Sequence, residues 1–282
     1  MPDTHHPTAP TSPTALRLSR AWSDGRVRQE VEGAQEALAR LRFHEGLRRG
    51  WAEARAEAAV REACALAVLE GARTTVDDLR ALSLQDAAGE LGRVDPGAAL
   101  ALGIWRAQWN LTSDFPPLNQ RQPHRRAARP LPALLARIHR DTCSVLVSSG
   151  ALGSHGVALP VDSRALAAVL ALAAGDLPPL AVAAGVAALL RAGDVFRPAS
   201  MAVGATLARW LLVERGTDPT GVCMPSILDA EDPRAAGRAL GAWVEGGDEG
   251  AAQWLLHWVR GVRRGAEEGI EVALRVQAGR LG

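Results

Sequence analysis

The residues of this chain with the types and spacing to do chemistry are a few histidines, a Gly/Ser cluster and three cysteines. His44-Glu45 begins the pair that a zinc-protease helix uses, but position 48 is Arg, so the second imidazole one turn on is missing. Gly150-Ala151-Leu152-Gly153-Ser154-His155-Gly156 approaches a dinucleotide-binding turn, yet its glycines are wrongly spaced and no parallel sheet surrounds them. Ser154-His155 lacks the Gly-x-Ser-x-Gly elbow of a hydrolase, and adjacent side chains diverge instead of hydrogen bonding. His139 and His257 fall inside amphipathic patterns and read as satisfied, partly buried rings; His5 and His6 belong to a polar tail. Cys64, Cys143 and Cys223 are odd in number and far apart, which suits small core residues in a reducing compartment.

Absences exclude more. Every basic residue is Arg, and the chain has no Lys and no Tyr. There is therefore no P-loop lysine, no Schiff base to pyridoxal phosphate or a carbonyl substrate, and no phenolic acid or base. With 32 basic residues against 31 acidic ones, no global field concentrates nucleic acid or anionic lipid. No apolar run approaches the length of a membrane span, and the start MPDTHHPTAPTSPT has no signal core, so a cytoplasmic location is expected.

The elements that must position any site are helices. Residues 1–20, rich in Pro, Thr, Ser and His, read as a disordered tail. From Trp22 to Gly71 apolar residues recur every three or four positions, predicting two helices broken near Gly46 to Gly50. Thr75-Val76-Asp77-Asp78 reads as a capped helix start, and a further helix is predicted from Pro96 to Leu111. Residues 114–130, with four prolines and the cations Arg121, His124, Arg125, Arg126 and Arg129, read as a solvated linker. Beyond it the pattern predicts helices over 131–147, 163–174, 178–193, 199–215, 233–244 and 250–276. Gly156 to Leu159 is the one strand candidate. The expected architecture is an all-α bundle, with an N-terminal helical lobe at 21–113 and a helical core at 131–282.

One ordered constellation resembles a known family. Leu177-Pro178-Pro179-Leu180 through Arg191, Val195-Phe196-Arg197-Pro198, the helix through Gly204 and Arg209, Gly216-x-Asp218-Pro219 and Trp254-Leu-Leu-His-Trp258 are similar to the core of the Fic/Doc (Fido) fold. Upstream, Arg61 to Gly71 followed by Thr74 to Leu79 resembles that family's inhibitory helix, Ser/Thr-x-x-x-Glu-Gly, with Glu70 and Gly71 kept and Leu66 in place of the hydroxyl. The variant resembled begins its motif Arg-Pro instead of His-Pro.

The resemblance implies an AMP-transferring scaffold that has lost its chemistry. With Gly204 as the motif's second glycine, Arg197 stands where the family's base is a histidine, and a guanidinium stays protonated. Met201 replaces the carboxylate that holds Mg²⁺, so no metal site and no catalytic residue are expected. Ala202 and Val203 replace Gly-Asn, Ala205 the first arginine, and the second falls at Ala208 with Arg209 one place later. The implied function is a regulatory or protein-interaction module that needs no cofactor and acts on a protein partner or a further copy of itself. The rival is a noncanonical nucleotidyl- or phosphoryl-transferring enzyme, in which Arg197, Ser200, Gly204 and Arg209 hold ATP and Mg²⁺ and a base comes from His139 or His155. Glu70, emerging at a helix C-terminal end where a bare carboxylate is disfavoured, is expected to pair with Arg209, or with Arg197 if the register slips.

Overall fold

The computed structural model describes residues 12–119 and 130–280, which form twelve α-helices and no strand among the described residues. In chain order these are α1 (Pro13–Trp22), α2 (Gly25–Arg42), α3 (Leu47–Leu69), α4 (Val76–Ala88), α5 (Pro96–Thr112), α6 (Leu131–Ser148), α7 (Ser163–Ala173), α8 (Pro179–Gly193), α9 (Ser200–Glu214), α10 (Ile227–Glu231), α11 (Pro233–Glu245) and α12 (Gly247–Gln277). The all-α class follows from the three-to-four-residue apolar period, and the helix boundaries follow from local caps. Thr75 and Asp78 form a reciprocal capping box at α4, and the Asp95 and Asp162 carboxylates accept first-turn amides of α5 and α7.

The long α12 is the spine. It packs on α1, α2, α3 and α11, and its Trp254 indole donates to the Ala184 carbonyl of α8 at 2.8 Å. A single apolar cluster runs through this region and draws on both sides of the 114–130 segment and on the segment itself, with Leu18 and Leu41 before it, Phe115 within it and Leu190, Leu212 and Trp254 after it. Each such fully buried large side chain contributes about 1.5–3 kcal/mol of transfer free energy. A second cluster joins α3, α4 and α5 to the start of α9.

Three expectations change. The tail reading of 1–20 fails from Pro13 onward, because α1 starts there with the Ser12 hydroxyl accepting the Ala15 amide and with Leu18 and Ala21 buried. Composition alone undervalued a proline at the first helical position and the apolar face behind it. Gly156 to Leu159 is not a strand: a single 3₁₀ turn at Ser154–Gly156 leads into a loop in which Ala158 has φ +65°. The short α10 was not anticipated, since five residues carry no readable period. Residues 1–11 of the tail and the linker cations from Arg121 to Arg129 lie outside the described residues.

Candidate functional site

The helical pair α8 and α9 forms the floor of the candidate site, and the end of α3 closes it. Gly204 sits at the closest approach of the pair: a Cβ there would lie 2.7 Å from Leu190 Cβ. Its role is helix packing. The turn between the helices, 194–199, reverses the chain with Asp194 and Ala199 both at positive φ. The turn is held from within. Ser200 Oγ donates to the Leu190 carbonyl at 2.6 Å and accepts the Phe196 amide at 3.3 Å, so the buried hydroxyl bonds the last turn of α8 to the first of α9. His139 holds the turn from below. Its Nδ1 accepts the Ala158 amide at 3.0 Å, which leaves the proton on Nε2 to donate to the Pro198 carbonyl at 3.2 Å. Burial lowers the pKa of this ring below the ordinary value, and Phe196 packs on it with centroids 5.0 Å apart. The ring is a satisfied core histidine, and no proton-accepting nitrogen remains for catalysis.

Arg197 and Arg209 occupy different environments. Arg197 is largely exposed and pairs with Asp194, three residues back, at 2.5 Å. Arg209 is fully buried: one Nη donates to Gln108 Oε1 and the other to the Gly221 carbonyl, each at 2.6 Å, and Phe115 lies 5.8 Å beneath the guanidinium. Gln108 in turn donates to Thr206 at 2.8 Å, so Arg209 ties α9 to α5 and to the turn after α9. Burial lowers the Arg209 pKa, while the Glu62 and Asp218 carboxylates oppose that shift. Ser200, Gly204, Arg197 and Arg209 therefore do not converge on a common point.

The expected ion pair of Glu70 with Arg209 or Arg197 is not formed. Glu70 Oε1 instead accepts the backbone amide of Ala202, in the first turn of α9, at 3.0 Å. Arg209 lies seven residues, about two turns or 10 Å, further along α9 and faces α5. Glu70 reaches the α9 terminus because α3 ends there in a Schellman arrangement. Gly71 takes φ +89°, its amide donates to the Val68 carbonyl, and the Ala72 amide donates to that of Ala67. The carboxylate caps α9, whose own N-cap residue, Ala199, supplies no side-chain acceptor. Burial raises the Glu70 pKa, opposed by the Ala202 amide and by the charge of Arg191.

Between these helices remains a cavity of about 30 Å³, lined among others by Leu66, Met201, Arg191, Ser226, Asp229 and Trp254. That is room for about one water, whereas sites for drug-sized ligands run to roughly 300–1,000 Å³. ATP does not fit this space. Met201 presents a thioether, a poor ligand for Mg²⁺, and the one carboxylate in the lining, Asp229, has both oxygens taken by Arg191 and His257, so the residues present do not fit ATP with Mg²⁺.

A polar cluster that periodicity did not single out reaches the same cavity through Arg191, Ser226 and Asp229. Asp229 of α10 takes Arg191 of α8 at 2.5 Å on one oxygen and His257 of α12 at 2.7 Å on the other. Glu62 of α3, fully buried, accepts both the Ser226 hydroxyl at 2.7 Å and the Ser226 amide at 3.2 Å. Burial pushes the Glu62 carboxyl up to about 7, against the pull of Arg209 and the two Ser226 bonds. The one sequence signal for Glu62 was its place, next to Arg61, as one of two charges in the otherwise apolar run from Ala58 to Ala67. Together the two carboxylates fasten α10 to α3, α8 and α12. All three cysteines are unpaired and buried, and among the described residues no three His, Cys, Asp or Glu side chains gather as a metal-binding group. Among the described residues no helix is long and apolar enough to cross a membrane.

Comparison with known proteins adds no relative: no protein-family model and no curated protein matches the chain.

Proposed function

We propose that this chain is a catalytically degenerate, Fic-like helical protein that acts as a regulatory or protein-interaction module in the cytoplasm. One observation carries the reading: the Glu70 carboxylate occupies the first turn of α9, and the cavity between α3, α8 and α9 holds only about 30 Å³. The motif positions support it. Arg197 pairs with Asp194 at the surface, Ser200 joins two helix ends, Gly204 lets α8 and α9 touch, and Arg209 is spent on Gln108 and Gly221. A transferase using a rearranged site would need these groups, or a base such as His139, aimed at one substrate, and each is engaged elsewhere. Cytoplasmic placement is supported by the three unpaired thiols. The partner is a protein, either a different chain or a second copy.

Calorimetric titration of the full chain with ATP, with and without Mg²⁺, tests the reading. The expected result is no Mg²⁺-dependent binding up to about 1 mM, a free energy of about −4 kcal/mol. Incubation with labelled ATP and candidate protein targets should likewise transfer no AMP. Mg²⁺-dependent binding or AMP transfer that disappears in Arg197→Ala or Arg209→Ala would overturn it.

A further inference from the structure

A second concave surface lies away from α8 and α9. The facing sides of α3, α4 and α5 leave an open groove of about 410 Å³, with Glu53 and Ala56 from α3, Leu84 and Ala87 from α4, and Trp105 and Trp109 from α5. The lining positions recur at helical spacing on each element. The small side chains of Ala56 and Ala87 form low points between larger ones, the ridge-and-groove relief that accepts another helix. Leu84 is 66% exposed and Trp109 45%, while Trp105 and Trp109 stack with centroids 5.9 Å apart. A large aliphatic and an indole left in water on either side of one groove mark an interaction surface.

We infer that this groove docks a basic amphipathic helix of a partner protein. Charge selects the flank of the ligand. Glu53 is exposed and has no ion-pair partner among the described residues, whereas Glu57 is already held by Arg61 at 2.7 Å and Arg80 at 3.0 Å. On α4, Asp77 is paired with Arg80, Asp86 with Arg106 of α5, and Asp78 is bonded to Thr75 in the capping box, so the negative charge the groove offers a ligand is that of Glu53. An Arg or Lys on the incoming helix meets Glu53, with the Trp109 ring beside it for a cation–π contact. A second copy of the chain is disfavoured as the occupant. Among the described residues the other exposed large apolar side chains on or at the ends of helices, Leu16, Phe43, Val68, Val244 and Leu274, stand singly, and none forms a pair three or four residues apart. No described helix therefore offers the apolar stripe that the groove requires. This inference rests on the interaction-module reading and names the surface and the kind of partner.

A displayed random-peptide library selected against the immobilised full chain tests it. The expected outcome is enrichment of sequences with apolar residues at helical spacing and Arg or Lys on the flank. A synthetic copy of the enriched peptide should bind Leu84→Asp at least about tenfold more weakly, with the melting temperature of that variant unchanged. Glu53→Arg should keep the apolar pattern and remove or reverse the preference for a basic flank. Absence of any enriched motif, enrichment of proline-rich extended or acidic sequences, or equal binding to Leu84→Asp would overturn the inference. So would a concentration-dependent dimer that Leu84→Asp dissolves, which would assign the groove to a second copy. Mg²⁺-dependent ATP binding would sink the non-catalytic reading and leave the peptide result standing, so the two failures are distinguishable.

Discussion

The Glu70 carboxylate accepts the Ala202 amide at 3.0 Å, so the residue that ends α3 also caps α9. The contact spans 132 residues of sequence and joins the N-terminal helices to the α8–α9 pair without any guanidinium.

Because the acceptor is an amide and not Arg209, mutations at the two positions should be independent. Glu70→Ala should cost about 1 kcal/mol, the usual effect of losing a helix cap. Arg209→Ala should cost about 3–5 kcal/mol, since it removes the cation that faces the buried Glu62 and Asp218 carboxylates and takes the donors from Gln108 Oε1 and the Gly221 carbonyl. Urea unfolding of the two single variants and the double should show losses that add to within about 0.5 kcal/mol. A coupling energy above about 1 kcal/mol would mean that the two side chains interact directly.

The buried Glu62 carboxyl should make stability fall as the solution becomes more alkaline. Its folded-state pKa of about 7 lies above the ordinary 4.5, so between those values the folded chain holds a proton that the unfolded chain has lost. Its contribution is complete below 4.5 and disappears as pH rises through 7, amounting to at most about 3 kcal/mol. Glu62→Gln keeps the shape: its amide oxygen accepts the Ser226 amide and its NH₂ faces the Ser226 hydroxyl. The variant should be the more stable form at pH 8 and should flatten the profile of melting temperature against pH between 5 and 8. An unchanged slope would place the titration elsewhere.

His139 works in the opposite sense. Burial lowers its pKa below the ordinary 6.5, so the neutral ring's contribution is intact above that value and is lost as pH falls through the folded-state pKa. Protonation removes the only acceptor for the Ala158 amide. Exchange of that amide with solvent should therefore accelerate on acidification more than exchange of amides within α8. His139→Phe should cost about 1–3 kcal/mol, because the Ala158 amide and the Pro198 carbonyl both lose their partner. Exchange at Ala158 that is indifferent to pH, once the intrinsic rate is allowed for, would rule out this role.

The sequence disclosed what is periodic and little of what is polar. Apolar spacing located nine of the twelve helices and the Thr75 cap a tenth, and Gly71 marked the end of α3, because each such signal acts on its own backbone within a few residues. α1 was hidden by a tail-like composition and α10 by its five residues. Spacing along α9 could not say which side Arg209 faces, so its partner was misassigned. The carboxylates of Glu62 and Asp229 depend on groups 164 and 28 residues away, at separations where helical periodicity carries no information. His139 was legible as a satisfied ring, but the two backbone atoms that satisfy it were not.

The contact between Gly204 and Leu190 has an evolutionary corollary. A Cβ at 204 would meet the Cβ of Leu190 at 2.7 Å, closer than real side chains pack, so neither helix can accept extra bulk at this crossing while the other stays as it is. Positions 190 and 204 thus constitute one heritable unit: a lineage that enlarges the residue at 204 must first put glycine at 190 or spread the two helices apart. In related sequences the pair should change together or not at all, whatever becomes of the arginines around it.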